Sequence, residues 1–143
     1  MTNEEFYGYP DGPWSKEHDG LGWVSPTGLR CEMRRTQEMG HLCGYVYVPR
    51  GHPAFGCDEG DMALADISVH GGLTYSYPVL DEASPNEPPF WRFGFDCAHF
   101  ADLSPRMQQF FYRVEGTYRT VEYVMAECES LAAQFAAMQN VQS

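Results

Sequence analysis

The sequence predicts an α+β fold, a mainly antiparallel β-sheet with a C-terminal amphipathic helix packed on one face. Three observations carry that prediction. Alternating, β-branched or aromatic runs recur between residues 29 and 97, and they are separated by glycine and proline turns without helical periodicity. A long apolar repeat at three- and four-residue intervals begins only after residue 117. Strands in series followed by one helix leave no helical crossovers for a parallel sheet. The chain has 143 residues, 43% apolar and 15% aromatic, enough for one core. We read a loop-rich acidic N-terminal arm over 1–28 and a single α+β domain over 29–143.

In the arm, Tyr9-Pro10-Asp11-Gly12-Pro13 and Ser25-Pro26-Thr27-Gly28 are turn sequences, and Trp14 and Trp23 are available to pin them to the body. From Leu29, the residues Leu29, Cys31 and Met33 alternate with Arg30, Glu32 and Arg34, the period of a half-exposed strand. The run His41–Val48 is a second strand, ended by Pro49 and Gly51, and pairs with the first as a hairpin around Gln37-Glu38-Met39-Gly40. Asp66–His70 and Leu73–Tyr77 read as two strands about Gly71-Gly72, or as one strand bent by a bulge. Asp81–Pro89, with three prolines and three acids, is a surface linker. In Phe90–Cys97, Trp91, Phe93, Phe95 and Cys97 share one face, while Arg92, Gly94 and Asp96 share the other. The glycine between Arg92 and Asp96 marks a close approach by a backbone or a ligand. The helix is expected from near Thr117, its N-cap, to about Met138, with Val121, Val124, Met125, Cys128, Leu131, Ala132 and Phe135 on its apolar stripe.

Charge narrows the function. The net charge is −11, and it is concentrated: residues 1–20 carry five acids against Lys16, 57–66 four acids and no base, and 81–87 three. The remaining eight acids balance eight arginines, so the body is near neutral and the acidic segments read as solvated loops or a partner-facing surface. No basic stripe exists to displace counterions, which excludes direct nucleic-acid binding. No run approaches a membrane span, and Met1-Thr2-Asn3-Glu4-Glu5 does not open like a secretion signal, so a cytoplasmic location is expected. The five cysteines form no C-x-x-C pair and read as reduced, buried thiols.

Two segments carry candidate chemistry. Asp96-x-x-His99-x-x-Asp102 places an imidazole between two carboxylates, which suits acid-base catalysis or metal ligation, or else closes a turn in which Asp102 caps the next segment. His70-Gly71-Gly72 frees the backbone to present N–H groups to an anion, with Thr74 and Tyr75 supplying hydroxyls, or else forms a simple β-turn. His41 stands at the start of its strand, within reach of His70 and His99 across neighbouring strands. The spacing matches no zinc motif, so no metal or other cofactor is assigned. Cys97 reads as a buried thiol, and His18 and His52 as surface residues. Tyr45, Tyr47, Tyr75, Tyr77, Trp91 and Phe93 form a stacking platform or core and cross-strand pairs.

The ordered motifs Gly40-His41-Leu42-Cys43-Gly44-Tyr45-Val46, Gly51-His52-Pro53, Val69-His70-Gly71-Gly72-Leu73-Thr74-Tyr75-Ser76, Phe93-Gly94-Phe95-Asp96-Cys97-Ala98-His99 and Thr117-Tyr118-Arg119 resemble a group of small bacteriophage and prophage proteins over roughly residues 29–135. The resemblance implies a phage setting, in which small acidic proteins act on host nucleases, defence complexes or nucleotide signals, and it implies no mechanism. The leading expectation is a non-enzymatic accessory protein that binds a host protein or a small phosphorylated, nucleotide-like ligand through His41, His70, Gly71, Gly72, Thr74, Tyr75, Arg92, Asp96 and His99. The alternatives are a phosphoesterase-like hydrolase using His70, His99, Asp96 and Asp102, with or without a metal, and an acidic-surface inhibitor of a nucleic-acid enzyme. A homo-oligomer is compatible with each.

Overall fold

A computed structural model describes residues 9–107 and 115–141. Residues 1–8 of the expected arm, and 108–114 and 142–143 of the expected domain, lie outside the described residues. Five strands form one antiparallel sheet: β1 (Gly20–Val24), β2 (Arg30–Arg35), β3 (Leu42–Pro49), β4 (Tyr75–Val79) and β5 (Phe90–Asp96). Their spatial order is β1-β2-β3-β5-β4, so the chain leaves β3 and returns as the far edge before β5 inserts beside β3. The α-helix α1 (Val121–Val141) packs over β3 and β2. The fold is α+β as the sequence predicts. Among the described residues, no helix is long and apolar enough to cross a membrane.

Alternation decides which face α1 covers. Cys31 and Met33 of β2, Leu42, Val46 and Val48 of β3, and Phe93 and Phe95 of β5 project to one side and bury against Val124, Cys128, Leu131 and Phe135 of α1. The rings of Phe93 and Phe135 lie 5.0 Å apart at the centre of this layer. Each such side chain contributes about 1.5–3 kcal/mol by leaving water. Among the described residues, no helix packs on the other face.

Three boundaries differ from the sequence reading. The arm contributes the edge strand β1, whose two glycines hide the alternation of Leu21 and Trp23 toward the core side. Trp14 is buried against Tyr118, and Trp23 donates to Glu129 Oε1 at 2.6 Å, so both tryptophans tie the arm down. Residues 66–70 do not form a strand, because the Ser68 backbone is taken by a side chain of α1: Ser68 N–H donates to Gln134 Oε1 at 2.8 Å, and Gln134 Nε2 donates to Ser68 O at 2.7 Å. The helix starts at Val121 rather than near Thr117. Thr117 is held in a bridge to Asp102, while Thr120 Oγ1 accepts from Tyr123 N–H and Glu17 Oε2 accepts from Val121 N–H.

Candidate functional site

The first cluster forms where β5 ends. Asp96 Oδ1 accepts from Ala98 N–H at 3.1 Å, and Thr74 Oγ1 donates to Asp96 Oδ2 at 2.9 Å, which turns the chain away from the sheet. Asp102 N–H then donates to His99 O, and Asp102 Oδ2 accepts from His99 N–H at 3.0 Å, closing a tight turn. The Asp102 carboxylate is buried, yet it serves two further partners: Arg119 Nε donates to Oδ1 at 2.8 Å, and His70 Nε2 lies 2.9 Å from Oδ2. Burial pushes this carboxyl upward, but the His70, Arg119 and His99 hydrogen bonds outweigh it and hold Asp102 below its ordinary range.

His70 is thereby fixed in one tautomer. A carboxylate only accepts, so Nε2 carries the proton toward Asp102, and in the neutral ring Nδ1 accepts from the Tyr123 hydroxyl at 2.8 Å. Arg119 also lies over the Tyr123 ring, 5.1 Å from its centroid. Burial and the nearby Glu127 keep Tyr123 above the usual phenol range, so it stands as a neutral hydroxyl. The result is a continuous line from Arg119 through Asp102 and His70 to Tyr123.

His99 packs beside this line, its ring centroid 5.9 Å from that of His70. Its Nε2 is buried 3.4 Å from Asp96 Oδ1, close enough for an ion pair but not aligned as a hydrogen bond. Gly71 makes the room. A β-carbon there would sit 2.1 Å from His99 Nε2, and the backbone has φ +69°, so both sterics and conformation require glycine. Gly72 N–H donates to Val69 O, so the Gly71-Gly72 pair is a β-turn with one of its amide donors spent. His41 lies near Asp96, Asp102 and His99 with Thr36 Oγ1 3.3 Å from its Nδ1, and burial lowers its pKa despite the two carboxylates. Among the described residues, no group of three or more His, Cys, Asp or Glu side chains is arranged to hold a metal ion.

The second cluster lies on the sheet face without a helix. Strand register places Tyr47, Arg92 and Tyr77 directly opposite one another across β3, β5 and β4, and a side-chain contact extends the row to Arg30 at the start of β2. The Arg92 guanidinium stacks 4.7 Å from the Tyr45 centroid and 4.8 Å from that of Tyr75, and donates to the Tyr75 hydroxyl, to Tyr47 at 3.3 Å and to Glu32 Oε1 at 3.4 Å. Burial opposes its charge, but these phenol oxygens hold the pKa raised. Arg30 stacks on Tyr47 at 4.7 Å. Arg30 and Tyr77, at the two ends of the row, are exposed.

The two clusters divide the expected site. Asp96, Asp102, His70, His99, Thr74 and Gly71 come together at the end of β5, with His41 alongside. Arg92 and Tyr75 belong to the second cluster instead, although Asp96 shares their sheet face, four residues along β5 from Arg92 and two from Gly94, the partner of Tyr75. Between them Gly94 is covered by Tyr45, whose ring would lie 2.5 Å from a β-carbon at that position, so a side chain makes the close approach. Asp102 binds the His99 backbone and the His70 ring, correcting the picture of His99 held between two carboxylates. Cys97 is buried, and desolvation with the neighbouring Asp102 pushes its thiol far upward, away from nucleophilic use. His52 is a correction: its ring is buried, accepts from Ala54 N–H at Nδ1 and donates from Nε2 to Phe135 O at 2.7 Å. Tyr123, Arg119 and Glu32 are members that sequence reasoning missed. The acidic segments 58–61 and 81–87 are exposed, as solvated loops would be. No protein-family model, curated protein or solved structure matches the chain.

Proposed function

We propose that the protein works by binding, and that its ligand is small, phosphorylated and aromatic, nucleotide-like in chemistry, held on the helix-free sheet face. The observation that supports this reading is the Arg30–Tyr47–Arg92–Tyr77 row. Arg92 is already paired with Glu32 and caged by tyrosines, so it holds the row rigid. The exposed ends supply the contacts: Tyr77 offers a ring face, worth about 1–3 kcal/mol for a stacked base, and Arg30 offers a guanidinium fork for phosphate. In the phage setting that the motifs resemble, such a protein sequesters a nucleotide signal of host defence. Calorimetric titration with nucleoside monophosphates, cyclic dinucleotides and inorganic phosphate tests this. Tyr77→Ala and Arg30→Ala should each weaken binding about tenfold, whereas a panel without measurable binding rejects the ligand class. Capture of a host protein that depends on the same two side chains moves the reading to a protein partner.

A second reading, a hydrolase of phosphoesterase type, is favoured by the hydrogen-bonded line Asp102–His70–Tyr123. An imidazole oriented by a carboxylate and accepting from a hydroxyl is the arrangement general-base catalysis uses. Turnover of a simple phosphodiester that disappears in His70→Ala and in Tyr123→Phe supports it. A wild-type protein without turnover rejects it.

A further inference from the structure

We propose that two copies of this chain pair edge to edge through β1, about a two-fold axis at Gly22, and join their sheets into one. The backbone sets the register. Arg35 N–H donates to Asp19 O at 2.8 Å and Ser25 N–H donates to Leu29 O at 2.9 Å, which puts residues 19, 21, 23 and 25 in the pairs that exchange hydrogen bonds with β2. The N–H and C=O groups of Gly20, Gly22 and Val24 therefore point the other way, where the sheet ends. Centring the axis on Gly22 pairs Gly22 with its own copy and Gly20 with Val24, so all three outward-facing residues exchange both backbone bonds. Moving the axis one residue either way leaves one of them outside the pairing.

The side chains fit the same reversal. On the helix-free face, Val24 is 67% exposed and would lie beside Gly20 of the second copy, where no side chain opposes it. On the helix side, Leu21 meets Trp23, two partly buried apolar groups that extend the core layer across the axis. The strand carries no charge, so no like-charged pair faces another. The helix packs over β3 and β2, and among the described residues no strand or helix covers the outer edge of β1, where Gly20, Gly22 and Val24 are exposed. The opposite edge is protected: Pro78 in β4 lacks an N–H, and the acidic linker follows it. The complementarity of β1 to its own reverse is what selects a second copy as the occupant.

Strand pairing alone makes a small interface, so the dimer should be reversible. Sedimentation velocity of the full chain over a wide concentration range should show a monomer–dimer equilibrium, and amide exchange at Gly22 and Val24 should slow with concentration while Leu21 and Trp23 stay unchanged. Val24→Lys, at an exposed position, should weaken dimerisation at least about tenfold without lowering the melting temperature. A wild-type chain monomeric throughout overturns the proposal, as does a dimer insensitive to Val24→Lys with Gly22 exchanging freely.

Discussion

Arg35 and Arg92 are both arginines of sheet strands, and the chain uses them in opposite ways. The Arg35 side chain has no exposure, and all three of its nitrogens are spent: on Asp19 at 2.6 Å, on Gly40 O and Tyr118 at 2.8 and 2.9 Å, and on Glu17 and His18 O. It rivets the arm, the β2–β3 hairpin and the approach to α1 to one another. Arg92 keeps 21% exposure and is held chiefly by tyrosine rings and hydroxyls, whose outer edges face solvent. Full carboxylate pairing yields a structural joint; a phenol cage yields a rigid surface with contacts left to make.

The comparison breaks most visibly at Arg35. Arg35→Leu leaves Asp19 and Glu17 without their buried partner and should cost about 3–5 kcal/mol in urea unfolding. Arg35→Lys should recover little, because an ammonium cannot reproduce the fork. Next is Asp102→Asn, expected to cost about 2 kcal/mol by weakening the bonds from His70 and Arg119. Its signature is in pH. Asp102 sits below its unfolded value, so its contribution is complete above about pH 4 and is lost as pH falls through the lowered value. His41 and His52, lowered by burial, contribute fully above about pH 6.5 and lose that contribution as pH falls toward their own lowered values. Acid unfolding of the wild type should therefore have two stages, and Asp102→Asn should flatten only the more acidic one. Arg92→Lys should cost about 1 kcal/mol as the guanidinium stacking is lost, and should abolish ligand binding by loosening the row. The smallest stability effect belongs to Tyr77→Ala, below about 0.5 kcal/mol by thermal unfolding, even as binding falls.

What the sequence revealed follows from the range of each signal. The β2–β3 hairpin, β5 and α1 announce themselves by local periodicity, and the division of Phe93 and Phe95 from Arg92 and Asp96 follows from the pleat alone. The strand β1 was hidden because glycine contributes no hydrophobic signal, and Asp66–His70 looked like a strand because Ile67 and Val69 pack on the core from a segment bonded to Gln134. The site was half legible. His70 and Asp102 were both visible as unusual residues, but their meeting spans 32 positions and no spacing rule reports it. Tyr123 and Arg119 were overlooked because neither falls on the apolar stripe of α1. Reading the first turn of the helix and the segment leading into it for polar residues would have found both.

The bond from Val121 N–H to Glu17 joins residues 104 apart and has a consequence for how the chain matures. During synthesis, the whole sheet emerges before α1, so Phe93, Phe95 and Val46 lack its cover until those later residues are made. Folding must then close loops of 104 and 106 positions, Glu17 to Val121 and Trp23 to Glu129, before that face is covered, which makes it slow for a protein of this size and leaves the apolar layer exposed in the meantime.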